Sequence, residues 1–247
     1  MQEDLPSLVT LEGLEGNQTI RQTIQYFSAA TGEVTQNKVL EYSSLGRGVL
    51  FFESGAFSQG SMQLAPFSEF GAELGFINGD RRLRLVQLFD KQSQLAQLTL
   101  IREHRQHTAA AERPHLSIEQ LLGEWHGVAV TLYPDWQSPD RYETTLTISQ
   151  EGDRLHQQLI APQFELTSTA TIAGSILHFE QGSHPMQLLL LPDGASSNTP
   201  QTIPKGKPFL LEAGWLIAED YRQRMIRRYD AQGGWVSLTL VEERKQR

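Results

Sequence analysis

The chain has 247 residues, of which 39% are hydrophobic and 20% charged, and a formal net charge of −8 at pH 7. That balance is typical of a folded protein. The acidic excess is shared by both halves (9 basic and 12 acidic residues in 1–106, 12 and 17 in 107–247), so neither half is a basic module, which argues against a nucleic-acid binder. Cysteine is absent, so disulfides, thiol nucleophiles and cysteine-bound metals are excluded, and a reducing, cytoplasmic compartment is expected.

In chain order, short alternating runs occur at 22–27, 49–53, 83–89 and 95–101. They are rich in β-branched and aromatic residues and are separated by Gly, Asn, Asp and Pro, the pattern of antiparallel strands joined by hairpins. Residues 107–116, small and polar with a proline near the end, read as a linker. Ser117-Ile118-Glu119-Gln120-Leu121-Leu122 carries the one helix signal, with Ser117 as cap and Gln120 reaching back. Further strand patterns follow at 129–132, 144–148, 225–229 and 236–241. The longest aliphatic run, 188–191, falls far short of the ~20 residues of a membrane helix, so no membrane insertion is expected.

FINGDRRLRLVQLFDKQSQLAQLTLIRE, from Phe76, aligns without gaps to LIAEDYRQRMIRRYDAQGGWVSLTLVEE, from Leu216, at an offset of 140. Asp80/Asp220, Arg82/Arg222, Arg84/Arg224, Asp90/Asp230 and Glu103/Glu243 are identical, as are Leu98-Thr99-Leu100 and Leu238-Thr239-Leu240. Charged, apolar and turn positions recur in step, which points to a duplication. The expected domains are 1–106 and 117–247, joined by 107–116. The first-unit counterpart of Trp125 would lie before residue 1, so the first barrel is expected to lack its opening strand and to be open.

Gly123-Glu124-Trp125 after a helical turn resembles the opening of a calycin or lipocalin-type barrel. The resemblance implies an all-β chain of two tandem calycin/lipocalin-like antiparallel β-barrels. It also implies that Gly123 and Trp125 help close the second barrel, with a late-strand arginine stacked on the indole. Strand parity names Arg227, on one face with Gln223, Met225 and Tyr229; that face is expected to be the inner one, matching Leu83, Leu85 and Phe89.

A closer likeness runs through LPDGASSNTPQTIPKGKPFLLEAGWLIAEDYRQRMIRRYDAQGGWVSLTLVEER and LEGLEGNQTIRQTIQYF. These stretches resemble an uncharacterised two-barrel family of oxygenic phototrophs, related to the chloroplast biogenesis factor required for ATP synthase 1. The resemblance implies a scaffold for the catalytic head of ATP synthase that contacts its β and γ subunits. In plant relatives it would work in the chloroplast stroma.

The segment 190–216 carries most of that likeness. Its Lys205-Gly206-Lys207-Pro208 leads into a strand pattern rather than a helix, so it does not fit a phosphate cradle. Residues 55–60 miss the nucleophile-elbow frame by one position, and the seven histidines show no metal spacing. A non-enzymatic protein without metal or cofactor is expected. Asp193, Ser196, Ser197, Asn198, Lys205, Lys207 and Trp215 are then candidates for partner or ligand contact on a long, proline-stiffened loop, the lysines suiting an acidic patch. The alternative is a carrier of a small apolar ligand, such as a fatty acid, carotenoid or bilin, inside a barrel. A chromophore lyase or isomerase rests on superfamily analogy alone.

Overall fold

The structure, a computed structural model, describes residues 5–43, 46–108, 111–180 and 182–246. The opening residues 1–4 and the linker positions Ala109 and Ala110 lie outside the described residues. The chain divides into two compact units, Met1–Gly46 and Arg47–Arg247.

The first unit is an antiparallel meander of β1 (Ser7–Leu14), β2 (Thr19–Phe27) and β3 (Val34–Tyr42). The pairings Val9↔Ile24 and Gln22↔Leu40 set its register. Arg21 on β2 bonds Glu41 on β3.

The second unit opens with a five-stranded antiparallel sheet: β4 (Val49–Phe51), β5 (Phe57–Gly60), β6 (Phe70–Asn78), β7 (Arg81–Phe89) and β8 (Leu95–His104). A short helix, α1 (Ile118–Leu121), follows; the Gln120 side chain accepts a hydrogen bond from the Ser117 amide at 2.9 Å. Ten strands then close into an antiparallel barrel: β9 (Gly123–Leu132), β10 (Asp140–Glu151), β11 (Arg154–Ala161), β12 (Phe164–Ala173), β13 (Ile176–Phe179), β14 (Met186–Leu190), β15 (Ala195–Thr199), β16 (Phe209–Ala218), β17 (Tyr221–Tyr229) and β18 (Trp235–Lys245). Pairing of β18 with β9, Val241 opposite Ala129, completes the circle. The chain is all-β as expected, with a closed second barrel and a first half of two open sheets.

Hairpin β6–β7–β8 and hairpin β16–β17–β18 are the two copies of the repeat, but they do not align gaplessly. A bulge between Leu216 and Ala218 adds one residue to β16, so β6 matches β16 at an offset of 139. The gapless pairing of Ile77 with Ile217 is therefore wrong, because Ile217 is the extra residue. The corrected register pairs Phe70 with Phe209, Glu73 with Glu212 and Phe76 with Trp215, since these face equivalent positions on β7 and β17.

The two copies pack reciprocally, as a twofold relation between them requires. The Leu95 amide bonds the Gln201 carbonyl, and the Trp235 amide bonds the Met62 carbonyl. Ile203 donates to Ser93 in the same way that Leu64 donates to Gly233. Between them lies an apolar core of Phe70, Leu74, Leu85, Phe89, Phe209, Met225 and Tyr229. Phe70 meets Phe209 at 5.7 Å and Phe76 meets Trp215 at 6.4 Å between ring centroids.

This packing reverses the expected sidedness. Gln223, Met225, Arg227 and Tyr229 share a buried face, as parity requires, but it is the outer face of the barrel, pressed on the open sheet. Arg222, Arg224, Ile226 and Arg228 point inward. Both faces of these strands are buried, so apolar alternation alone could not say which face was the interior.

Candidate functional site

Inside the barrel, β16, β17 and β18 each contribute charges. Arg224 pairs with Glu212 at 3.0 Å and with Glu243 at 2.8 Å, and Arg222 pairs with Glu243 at 2.5 Å. The Arg222 guanidinium lies 4.3 Å from the Trp125 ring centre, with the Lys245 ammonium at 5.0 Å. The indole N–H donates to the Leu121 carbonyl at 2.9 Å, and Lys245 Nζ to the Gln120 carbonyl at 3.0 Å. Together they seal this end of the barrel. The cation on Trp125 is Arg222, not Arg227.

Gly123 and Gly127 make the arrangement possible. Gly123 takes φ +114°, and a Cβ on Gly127 would stand 2.7 Å from Glu243 Cγ and 2.8 Å from Thr144 Oγ1. Arg227 has a different role: it stacks on Trp235 at 3.4 Å and reaches the first copy through Ser58 Oγ at 3.2 Å and the Ser61 carbonyl at 3.1 Å. Its counterpart Gln87 reaches Ser197 Oγ at 2.7 Å.

The first half carries the same cluster. Arg84 pairs with Glu73 at 2.8 Å and Glu103 at 2.9 Å, and Arg82 pairs with Glu103 at 2.6 Å. On the open sheet these groups are partly exposed; in the barrel Glu243 is fully buried. Burial pushes the Glu243 carboxyl up, but Arg222 and Arg224 outweigh it and hold the group below its ordinary 4.5. A lowered folded-state value means that the stabilisation is complete above the unfolded-state pKa and is lost as pH falls through the folded one. Thermal melts from pH 7 down to pH 3 should therefore show Tm falling below about pH 4.5. The variant Glu243→Gln should show a shallower acid limb, and an equal slope in both proteins would refute the assignment.

The loop candidates separate into two groups. Asp193 is buried at a turn with φ 59°, where it takes the Arg81 guanidinium and accepts the Arg113 amide at 2.7 Å. Trp215 donates to the Asp193 carbonyl at 3.1 Å and lies under Arg113. Ser197 takes Gln87 on the outer face, while Asn198 donates to Glu212 at 2.9 Å and Ser196 lines the barrel interior. Asp193, Ser197 and Trp215 are buried, and Ser196 and Asn198 are half-buried on the wall of an interior cavity; what read as one long loop contains strand β15. Lys205 and Lys207 are exposed, and Lys207 donates to the Ser183 carbonyl at 2.7 Å.

At the barrel's other end lies a cavity of about 240 Å³. Thr131, Thr144, Ser237 and Thr239 line it with hydroxyls, Ala129, Ile226 and Val241 with carbon, and Asp140, Phe164 and Arg228 form an exposed rim. Tyr133 donates to Asp140 Oδ2 at 2.5 Å, and its phenol is pushed up to about 12, chiefly by that hydrogen bond. The volume is below the roughly 300–1,000 Å³ of pockets for drug-sized ligands. Toward the far end the salt-bridge cluster borders a second, smaller cavity of about 70 Å³ lined by Leu146, Ile148 and Leu177. No group of three or more potential metal ligands is found among the described residues, and no helix there is long and apolar enough to cross a membrane.

Comparison with known proteins places this geometry in a family. Residues 1–108 match the N-terminal domain of unknown function DUF3598, and residues 112–246 match the C-terminal domain of biogenesis factor required for ATP synthase 1. A DUF3598 protein of unknown function from Nostoc punctiforme superposes with a TM-score of 0.92 at 51% identity, over 99% of this chain and 90% of that one. The chain belongs to the DUF3598 family. In this DUF3598 protein the N-terminal match covers the open sheets and the C-terminal match covers the salt-bridged barrel. A phycobiliprotein lyase from Guillardia theta is similar at 11% identity and a TM-score of 0.42, over 52% of this chain and 90% of that one, too distant to carry an argument. No curated protein sequence matches the chain.

Four residues that matter here were not singled out from sequence: Glu212, Arg222, Arg224 and Glu243. The repeat held the signal for three of them, because Arg82/Arg222, Arg84/Arg224 and Glu103/Glu243 are identical pairs. Glu73/Glu212 was hidden by the one-residue bulge.

Proposed function

We infer that the protein is a non-enzymatic assembly factor that holds subunits of the soluble catalytic head of an ATP synthase, with the β and γ subunits as its partners. The match of residues 112–246 to the C-terminal domain of an ATP synthase biogenesis factor carries this reading. The buried charges support it: Glu243, Arg222 and Arg224 are spent on one another, an arrangement suited to holding a scaffold in shape.

Partner contact falls to what the fold leaves exposed. Phe67 and Trp136 are 85% and 88% exposed and take φ of +60° and +65°. Left-handed backbone is unfavourable for bulky residues, and at such exposure neither ring repays the strain by packing. The repeat makes the contrast plain, since Phe67 corresponds to Gly206, which takes φ +66°. Exposed aromatic anchors of this kind concentrate binding energy in interfaces, with Lys205 and Lys207 available to steer an acidic partner.

Gentle co-purification of the tagged protein from its host should enrich the β and γ subunits over a control bait; enrichment of neither would refute the reading. Phe67→Gly should keep or slightly raise Tm, by relief of strain, while lowering subunit recovery. Trp136→Ala should act likewise. Unchanged recovery in both variants would remove these rings from the interface.

A further inference from the structure

We propose that the cavity at the open end of the barrel is a binding site for a small organic carboxylate, with the carboxylate on Arg228 and the body against Ala129, Ile226 and Val241. This goes beyond the assembly role and does not depend on it.

Three observations carry the proposal. Thr144 is 94% buried on the cavity wall, and its Oγ1 has no hydrogen-bond partner. A buried hydroxyl left unpaired costs about 1–3 kcal/mol, so this one is placed for a ligand atom or a water. Across the same wall, Thr131 and Thr239 satisfy each other at 2.8 Å, so the unpaired hydroxyl is that of Thr144 in particular. Arg228, on the rim, makes no hydrogen bond or ion pair among the described residues, unlike Arg222, Arg224 and Arg227 on its own strand.

The one carboxylate lining the cavity, Asp140, is engaged by the Tyr133 hydroxyl. The guanidinium is therefore the group at the rim still able to take a charged partner, and its planar fork matches a carboxylate. Behind it, small apolar side chains flank the hydroxyls, which suits a short body carrying one polar atom for Thr144. A plain hydrocarbon would leave the Thr144 hydroxyl buried and unpaired. The volume sets the size: one small molecule, not a lipid.

Three six-carbon probes, each with one hydroxyl for Thr144, test the idea on the full-length protein: 6-hydroxyhexanoate, hexane-1,6-diol and 6-hydroxyhexylammonium, titrated by NMR with the amides of Thr131, Thr144 and Thr239 as reporters. The hydroxy acid should shift these amides in a saturable way and bind about tenfold more tightly than the diol, the effect of one charge-assisted contact. Arg228→Gln should leave Tm unchanged, because the side chain is exposed and unpaired, and should bring the hydroxy acid down to the level of the diol. Ala129→Phe, which fills the cavity, should abolish the shifts; if it fails to fold, Thr144→Val should weaken binding of the hydroxy acid while Tm is kept or raised. The proposal is overturned if the hydroxy acid leaves these amides unmoved, if the ammonium probe binds best, or if Arg228→Gln keeps the preference for the acid.

Discussion

Replacing Glu243 with glutamine is expected to destabilise the protein by about 3–5 kcal/mol, the usual cost of leaving a buried cation without its partner. Glu243 is fully buried between Arg222 and Arg224, and Arg222 has no other carboxylate within ion-pair distance among the described residues. The same change at Glu103 in the first copy should cost about 1 kcal/mol or less, because its pairs with Arg82 and Arg84 are partly solvated. Urea titrations followed by circular dichroism of the two variants decide the point. Equal losses would mean that burial in the barrel does not govern the cluster. The cost lies in the orphaned charge, so replacing Arg222 by methionine and Glu243 by leucine together should recover most of the loss.

The second large effect is expected at Arg227. Its guanidinium is fully buried, stacks on Trp235, and bonds Ser58 and two carbonyls of the first copy, Gly48 and Ser61. Arg227→Ala should cost about 3 kcal/mol from lost charge-assisted hydrogen bonds and the desolvated cation–π contact. Arg227→Gln copies the residue at the equivalent position of the first copy, where Gln87 bonds Ser197 Oγ and the Glu212 carbonyl. Glutamine should therefore restore a large part of the stability that alanine removes. Denaturation of the alanine variant should stay a single transition, because the open sheet and the barrel share one core. Alanine and glutamine variants of equal stability, or a split transition, would show that Arg227 does not join the two copies.

Several elements were readable before any coordinates. The runs at 83–89, 95–101, 225–229 and 236–241 are strands, because alternation and turn residues suffice where one hairpin forms locally. The capped turn at Ser117 and the glycine and tryptophan that open the barrel were also legible, as local signals. Strands β11 to β15 were not: β12 is rich in threonine and serine, β15 is ASSNT, β13 and β14 are only four and five residues long, and their pairing is set by neighbours along the barrel rather than by their own pattern. The segment 190–216 misled for a related reason. Serine, asparagine and proline read as loop chemistry, yet Ala195–Thr199 is held as a strand by pairing on both sides.

The amino-acid order by itself determined that the chain is duplicated, all-β, acidic and without thiol chemistry, because each of these follows from composition or from period along one strand. Which face of β16 to β18 looks into the barrel was decided only by tertiary structure. Both faces are buried, one against the barrel's own far wall and one against the first copy, so hydrophobicity was the same evidence for either answer. That choice moved Arg227 from the barrel interior to the joint between copies, put Arg222 on Trp125, and turned Asp193 and Trp215 from surface candidates into core. Position along the chain sets which side chains share a face; only the packing of one copy on the other sets what that face meets.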